Sequence, residues 1–344
     1  MGLKIIEVEI LMNQLISLQT HTQKLLDKEM ELFLKPLSNG IRDILSYYYT
    51  LGGKKLRPTL FLAVAQAFNA QENLAPHALA LELIHTMSLY HDDVIDGAKE
   101  RRGAPTVHEK WDNATAIVGG DIFHSLIHGH LLEAVNKNRV KNQTLTLKFL
   151  RDLIYHVELP IGITVIDEMN LSNSSEIPTI DQAIEIVVGK TAPLFAFSAA
   201  AGASIAGQTE KIAEDMFEMG RQLGYAFQLL DDIGDFFVSD KDIGSDLRED
   251  KKTPLFVLAN QSNPGLLDHY RKKRKNLTED DIISFRREFK DQFLEILQWV
   301  DKALNLAREY IVEIPNNQGK DFIKAIFSLL ELKLQEFIQQ ISQL

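Results

Sequence analysis

No cysteine occurs among the 344 residues, which excludes disulfides and thiolate chemistry. Proline and glycine are sparse, at 10 and 19 residues, and scattered, so no linker divides the chain. Length alone would allow two domains, at about 150 residues each. An excess of positive charge is also missing. The net charge of −11 argues against a nucleic-acid partner. Long apolar runs are lacking too. The most apolar stretch, 192–207, is short of the roughly 20 residues a membrane span needs and rich in small side chains, so it is expected to be a buried helix. Residues 1–19 follow an acidic helical pattern rather than a signal-peptide architecture, and Ile6 stands where a myristoylation signal requires Ser or Thr. A cytoplasmic protein with no integral membrane segment is the expectation.

What is present is helical periodicity, without convincing strand alternation. Helices are expected near 3–35, 40–50, 55–70, 76–97, 113–136, 141–160, 180–206, 209–237, 252–260, 280–311 and 318–343, with a polar interhelical loop at 170–175. Pro58 falls in the first turn of its helix, where a missing N–H costs little. The fold class is all-α: a single domain over 1–344, built as a bundle of about ten or more helices around a central cavity.

Two aspartate clusters with one spacing end apolar helical stretches: Asp92-Asp93-Val94-Ile95-Asp96 and Asp231-Asp232-Ile233-Gly234-Asp235. Positions i and i+4 share a helix face, so Asp92 projects with Asp96 and Asp231 with Asp235. Paired carboxylates repel unless a cation sits between them. Hard oxygen ligands suit Mg²⁺, which keeps waters and is shared with substrate phosphates. One DDxxD is weak evidence, since acidic helix ends are common. Two copies on two helices point to a cavity with carboxylate walls.

Basic residues cluster around these acids. Lys54 and Arg57 stand at a glycine-loosened helix start, Gly52-Gly53-Lys54-Lys55-Leu56-Arg57-Pro58, where backbone N–H groups also favour phosphate. The spacing is not that of a Walker A loop, and taken alone the cluster reads as a solvated loop. Arg101 and Arg102 are adjacent, point in different directions and can serve two anions. Lys190-Thr191 lies inside an apolar helix, where a lysine either snorkels to solvent or binds an oxyanion with the neighbouring hydroxyl. Gln228 shares the face of Asp231. Lys241 and Lys251 bracket a loop able to close over a site. His85 lies nearly two turns before Asp92 on the same face, although a histidine so placed is more often a satisfied core residue. An EF-hand reading of 240–251 fails, because position 12 is Lys251.

Five segments together resemble the polyprenyl synthetase family, the trans-isoprenyl diphosphate synthases. They are GGKKLRP (52–58), IHTMSLYHDDVIDGAKERRGAPTVH (84–108), GGD (119–121), GKTAPLF (189–195), and FQLLDDIGDF with KDIGSDLREDKKTPL (227–236 and 241–255). They make 52–255 the motif-bearing core. The resemblance implies that Asp92, Asp96 and Asp231 hold Mg²⁺, with Asp235 assisting through water. It implies that Arg101, Lys190, Thr191, Gln228, Lys241 and Lys251 bind an allylic diphosphate, and that Lys54, Arg57, His85 and Arg102 bind isopentenyl diphosphate. It also implies a homodimer. Residues 157–170 depart from the glutamine-containing pattern that often precedes the KT segment, and the C-terminal ninety residues carry no matching motif.

The chemistry suits these residues. An allylic diphosphate ionises when metal and cationic side chains stabilise the leaving pyrophosphate. The allyl cation needs a dry cavity, and a homoallylic diphosphate held nearby attacks it. Growing product would occupy an apolar tunnel past Ser88 and Met87 towards Ile84, Leu83 and Ala80, with Phe123, Leu126 and Ile127 as the opposite wall. Small Ser88 and flexible Met87 favour products of twenty carbons or more. A class I terpene cyclase would share the first aspartate cluster but normally mixes Asn or Asp with Ser/Thr and Glu in its second metal motif. A non-catalytic regulatory subunit of a heteromeric synthase should have lost a cluster, and both are complete.

Overall fold

The computed structural model describes residues 2–174, 176–237 and 243–344; Lys241 lies outside the described residues. The protein is all-α apart from one two-residue hairpin among the described residues. It forms two compact units interleaved along the chain: 1–154 with 198–213 and 315–323, and 155–197 with 214–314 and 324–344.

The first unit is built on α1 (Gly2–Leu34), α2 (Asn39–Thr50), α3 (Leu56–Ala67), α4 (Ala75–Asp96), α5 (Val107–Lys110), α6 (Asn113–Asn136) and α7 (Gln143–Leu153). Helix α4 is its axis, burying Leu79, Ala80, Leu83, Ile84, Leu89 and Tyr90. It packs on α6, where Gly120 leaves room for the His91 ring and a Cβ would collide with it. An aromatic row fixes this packing. Tyr48 meets Tyr90 at 4.9 Å, Tyr90 meets Phe123 at 5.7 Å, and Phe123 stacks on Phe33 at 5.8 Å. Such edge and offset contacts each add about 0.5–1.5 kcal/mol beyond area burial.

The second unit comprises most of α8 (Leu159–Asn173), α9 (Ile180–Ile205), α10 (Glu210–Phe237), α11 (Ser245–Glu249), α12 (Pro254–Ser262), α13 (Pro264–Lys273), α14 (Glu279–Glu288), α15 (Lys290–Glu309) and α16 (Gln318–Ser342). Helices α9 and α10 cross closely: a Cβ on Gly220 would lie 2.5 Å from the Phe195 carbonyl, and one on Gly224 would lie 2.7 Å from Ala192 Cα. Helix α9 is long and apolar enough to cross a membrane by composition. Its most apolar window is 67% buried in the fold, which is how a core helix packs. The motif-free C-terminal segment has a structural task. Phe236 stacks on Phe285 at 5.2 Å and meets Phe293 edge-on at 5.3 Å, while Phe237 meets Phe293 and Phe337. This cluster backs the aspartate end of α10.

Three expectations about elements are corrected. The helix expected to end at 160 instead passes through a π-helical turn, Ile154–Glu158, into α8. Pro160 lacks an N–H and crowds the preceding turn, which the wider π turn accommodates. Helix α8 then runs to Asn173, so most of the supposed loop at 170–175 is helical. The segment 280–311 is two helices, broken at Phe289, which caps α14 at φ −108° and ψ 25°.

Candidate active site

In the first unit the site begins where α4 stops. Gly97 adopts φ +64°, and the Ala98 N–H returns to the Asp93 carbonyl at 3.0 Å, a glycine-capped helix end. Asp92 is half-buried and Asp96 exposed, on the last turn. The hairpin pairs Glu100–Arg101 with Ala104–Pro105. Its two-residue turn has positive φ at both Arg102 (55°) and Gly103 (74°), the backbone that suits a tight antiparallel turn. That turn sends the two arginines apart, as their adjacency predicted. Arg101 folds back on Asp93, with Nη2 at 2.6 Å from Oδ1 and Nε at 2.9 Å from Oδ2. Tyr48 donates its hydroxyl to the same carboxylate and accepts from the Val107 N–H at 2.9 Å. Asp93 is 2% exposed, and sequence reasoning passed over it. The available signal was its place inside the DDxxD, eight residues before Arg101.

Arg102 reaches the other way. Its guanidinium donates to the Gly52 carbonyl and lies where a Cβ on Gly53 would come within 2.9 Å. Glycine at 53 therefore lets the arginine lie against the loop that carries the next cations. Of these, Lys54 is exposed and Arg57 half-buried, whereas Lys55 turns inward to Glu82 at 2.9 Å. His85 is half-buried. Desolvation first, then the Arg57, Arg102, Arg101 and Lys55 cations, hold its imidazole well below the usual histidine range, so it is neutral at pH 7. Met87 and Ser88 are half-buried on the same helix, and the Ser88 hydroxyl donates back to the His85 carbonyl at 3.0 Å. Ile84, Phe123 and Ile127 are fully enclosed.

The second unit gathers Lys190, Gln228 and Lys251 around one pocket together with Glu168, Asp232 and Asp246. Thr191 donates to Gln228 Oε1 at 2.6 Å, and Gln228 Nε2 donates to Asp232 Oδ1 at 2.7 Å. Gln228 thus joins Thr191 to Asp232, one residue on from the aspartate whose face it was expected to share. Asp235 caps the start of α11. It accepts from Ser245 Oγ at 2.5 Å and from the Ser245 and Asp246 N–H groups at 3.2 and 3.1 Å. Burial, and then the neighbouring Asp246, raise its carboxyl to about 7. Burial likewise raises Asp232 and Asp246, and Asp246 contributes repulsion to Asp232. Lys251 stands 3.6 Å from Asp246 and 2.9 Å from Glu249. Lys190 pairs with Glu168 at 2.6 Å. Glu168, Asp232 and Asp246 were not foreseen as site residues. Asp246, five residues before Lys251, was legible as part of the loop motif, whereas Glu168 had no signal.

These donors fit a hard cation. Oδ2 of Asp232 is out of solvent with no hydrogen-bond donor among the described residues, and its neighbours include the carboxylates of Asp246 and Asp231 as well as Gln228 and Lys190. A bound divalent ion would partner that oxygen and offset the repulsion between the carboxylates.

A family model for polyprenyl synthetase matches residues 38–284. A geranylgeranyl diphosphate synthase from Methanosarcina mazei is 32% identical over 273 residues, 78% of this chain and 79% of its own. A farnesyl diphosphate synthase from Bacillus subtilis is 31% identical over 280 residues, 77% of this chain and 92% of its own. Among solved structures, the polyprenyl synthase from Caulobacter crescentus CB15, complexed with calcium and isoprenyl diphosphate, aligns with TM-score 0.78 at 26% identity, covering 95% of this chain and 97% of that one. The geranylgeranyl pyrophosphate synthetase from Pyrococcus horikoshii shares the fold, with TM-score 0.82 at 23% identity over 94% of this chain and 98% of that one. The chain therefore belongs to the polyprenyl synthetase family. It is a prenyl-transferring enzyme.

Proposed function

We propose that the protein condenses isopentenyl diphosphate with an allylic diphosphate, head to tail and in trans geometry, giving a polyprenyl diphosphate of twenty carbons or more and pyrophosphate. The observation that carries this is the composition of the second unit's pocket: the ammonium groups of Lys190, Lys251 and Lys252 beside the carboxylates of Glu168, Asp232 and Asp246. Anion-binding and cation-binding groups at one place suit a metal diphosphate.

Asp92, Asp96 and Asp231 would hold Mg²⁺, with Asp235 assisting through water. Bound there, the metal supplies positive charge to the leaving diphosphate. Lys190, Thr191, Gln228, Lys251 and Arg101 hold the allylic diphosphate and stabilise the charge that develops as its C1–O bond breaks. Lys54, Arg57, His85 and Arg102 hold isopentenyl diphosphate, whose terminal alkene forms the new bond to C1. Loss of a proton from the adjacent carbon then leaves the product alkene, and the departing pyrophosphate takes that proton. A neutral His85 keeps one ring N–H with which to donate to isopentenyl diphosphate.

The proposed product length rests on α4. Ser88, with its hydroxyl satisfied by its own helix, presents a small wall one turn from Asp92. A homodimer is supported by α8 and the π turn before it. Tyr155, Leu159, Ile163, Ile166 and Met169 are 62, 53, 52, 59 and 41% exposed on one helical face, an apolar row that a second copy would cover. Sedimentation of the pure protein as a monomer at micromolar concentration would remove that assignment. We place the enzyme in the cytoplasm.

The metal assignment is tested by substitution. Asp92→Ala and Asp231→Ala should each lower turnover by at least about 10²-fold, the scale for losing a strong transition-state stabiliser. A near-normal rate in either variant at saturating Mg²⁺ would overturn the assignment.

A further inference from the structure

Helix α8 is where the sequence departs from its family's pattern, and its last turns are built against α9. At Gly189 of α9 a Cβ would run into Thr164 Oγ1 and lie 3.1 Å from Thr164 Cβ, so glycine is what lets the two helices come this near. The next residue is Lys190, whose ammonium meets Glu168 of α8 at 2.6 Å. The end of α8 is fastened one turn later. Lys252, 7% exposed, donates to the carbonyls of Leu171, Ser174 and Glu176 at 2.7, 2.5 and 2.9 Å. A cation on the last carbonyls of a helix satisfies groups that the helix itself leaves open. Glu168 is therefore held between a close helix crossing and a stapled helix end.

Its carboxylate faces a pocket that already contains Asp232 and Asp246 against Lys190 and Lys251. A diphosphate arriving there needs the ammonium of Lys190, and Glu168 competes for it with a full negative charge. We propose that Glu168 is a positioning residue that holds Lys190 in the unliganded enzyme and sets the affinity for diphosphate through the exchange of that lysine from carboxylate to substrate. The inference rests on the assignment of Lys190 to the allylic diphosphate. Both partners are partly exposed, at 34 and 26% for the side chains, so the pair is of the weak, solvent-screened kind. Such pairs are worth about 0–1 kcal/mol, which converts to at most about a fivefold change in affinity. Removing the negative charge from the pocket acts in the same direction.

The test uses the full chain and inorganic pyrophosphate with Mg²⁺, titrated by calorimetry into wild type, Glu168→Gln, Lys190→Ala and the double variant. Glu168→Gln should tighten pyrophosphate by about two- to fivefold, and the gain should shrink in the Lys190→Ala background. Glu168→Asp, which keeps the charge but is shorter by one methylene, should lie between wild type and Glu168→Gln. In steady state, KM for the allylic diphosphate should fall by the same factor while KM for isopentenyl diphosphate holds. A merely structural role would move both or neither. Unchanged or weaker pyrophosphate binding in folded Glu168→Gln, or an equal gain with Lys190 removed, would overturn the proposal. Pyrophosphate binding does not depend on turnover. An enzyme that shows the Glu168 effect but makes no prenyl product would refute the proposed reaction instead.

Discussion

Asp93 shows how a buried charge can orient a half-buried one. Its carboxylate accepts two-pronged donation from Arg101 and a further bond from Tyr48, which fixes the guanidinium against the last turn of α4. Asp93→Ala would leave Tyr48 without its acceptor and let Arg101 swing into solvent. The expected cost is about 1–3 kcal/mol of stability, the range for stranding a buried polar group, together with a raised KM for the allylic diphosphate. Wild-type values of both would mean that Arg101 needs no such guide. His77 offers a separate test, in pH. It is fully buried, with a ring nitrogen 3.0 Å from Thr146 Oγ1 and its ring edge-on to Phe149 at 4.9 Å. Desolvation depresses its imidazole to about 4 from an ordinary 6.5. The folded state therefore holds it neutral while the unfolded chain binds a proton below about 6.5. Its contribution is complete above that pH and is lost as pH falls towards 4, by up to about 3 kcal/mol. Denaturant melts of wild type and His77→Gln between pH 4 and 7 should show a steeper loss in wild type. Parallel pH profiles would contradict this.

At the scale of elements, α4 carries the product-length prediction. In the proposed reading the diphosphate is tethered at Asp92, and Ser88 lies one turn, about 6 Å, before it on the helix. Ser88→Phe should leave an active enzyme whose main product shortens, most simply to fifteen carbons. Chromatography of the dephosphorylated products reads this directly, and an unchanged distribution from a folded, active variant would mean that the chain runs elsewhere. Helices α4 and α10 above all were legible from sequence because their apolar spacing and aspartate clusters agree. Helix α8 was only half legible. Pro160, Gly162 and a β-branched run lower its intrinsic helix propensity, and its apolar face is outward, so the usual link between apolar spacing and burial misleads there. The hairpin at Glu100–Pro105 is too short for alternation to register, yet its turn sends the two arginines apart. Glu168 was illegible because its meaning depends on the close approach at Gly189, a tertiary fact.

For the molecule as a whole, the chain passes repeatedly between the two units, and α9, α10 and α16 each contribute residues to both. We expect one cooperative folding domain, seen as a single calorimetric transition; two separable transitions would divide it. The composition of the chain is consistent with a catalyst of small anions. Its −11 net charge leaves local cations, not a basic surface, to meet substrate. Whether those cations and the two aspartate clusters perform condensation is decided by incubating pure protein with Mg²⁺, labelled isopentenyl diphosphate and each allylic starter, then measuring products and pyrophosphate together. The proposed reaction gives linear trans-polyprenyl diphosphates lengthened in steps of five carbons, one pyrophosphate for each unit added, and no turnover once the metal is chelated. A cyclic hydrocarbon made from a single allylic substrate, or no incorporation of the isopentenyl label, would contradict it.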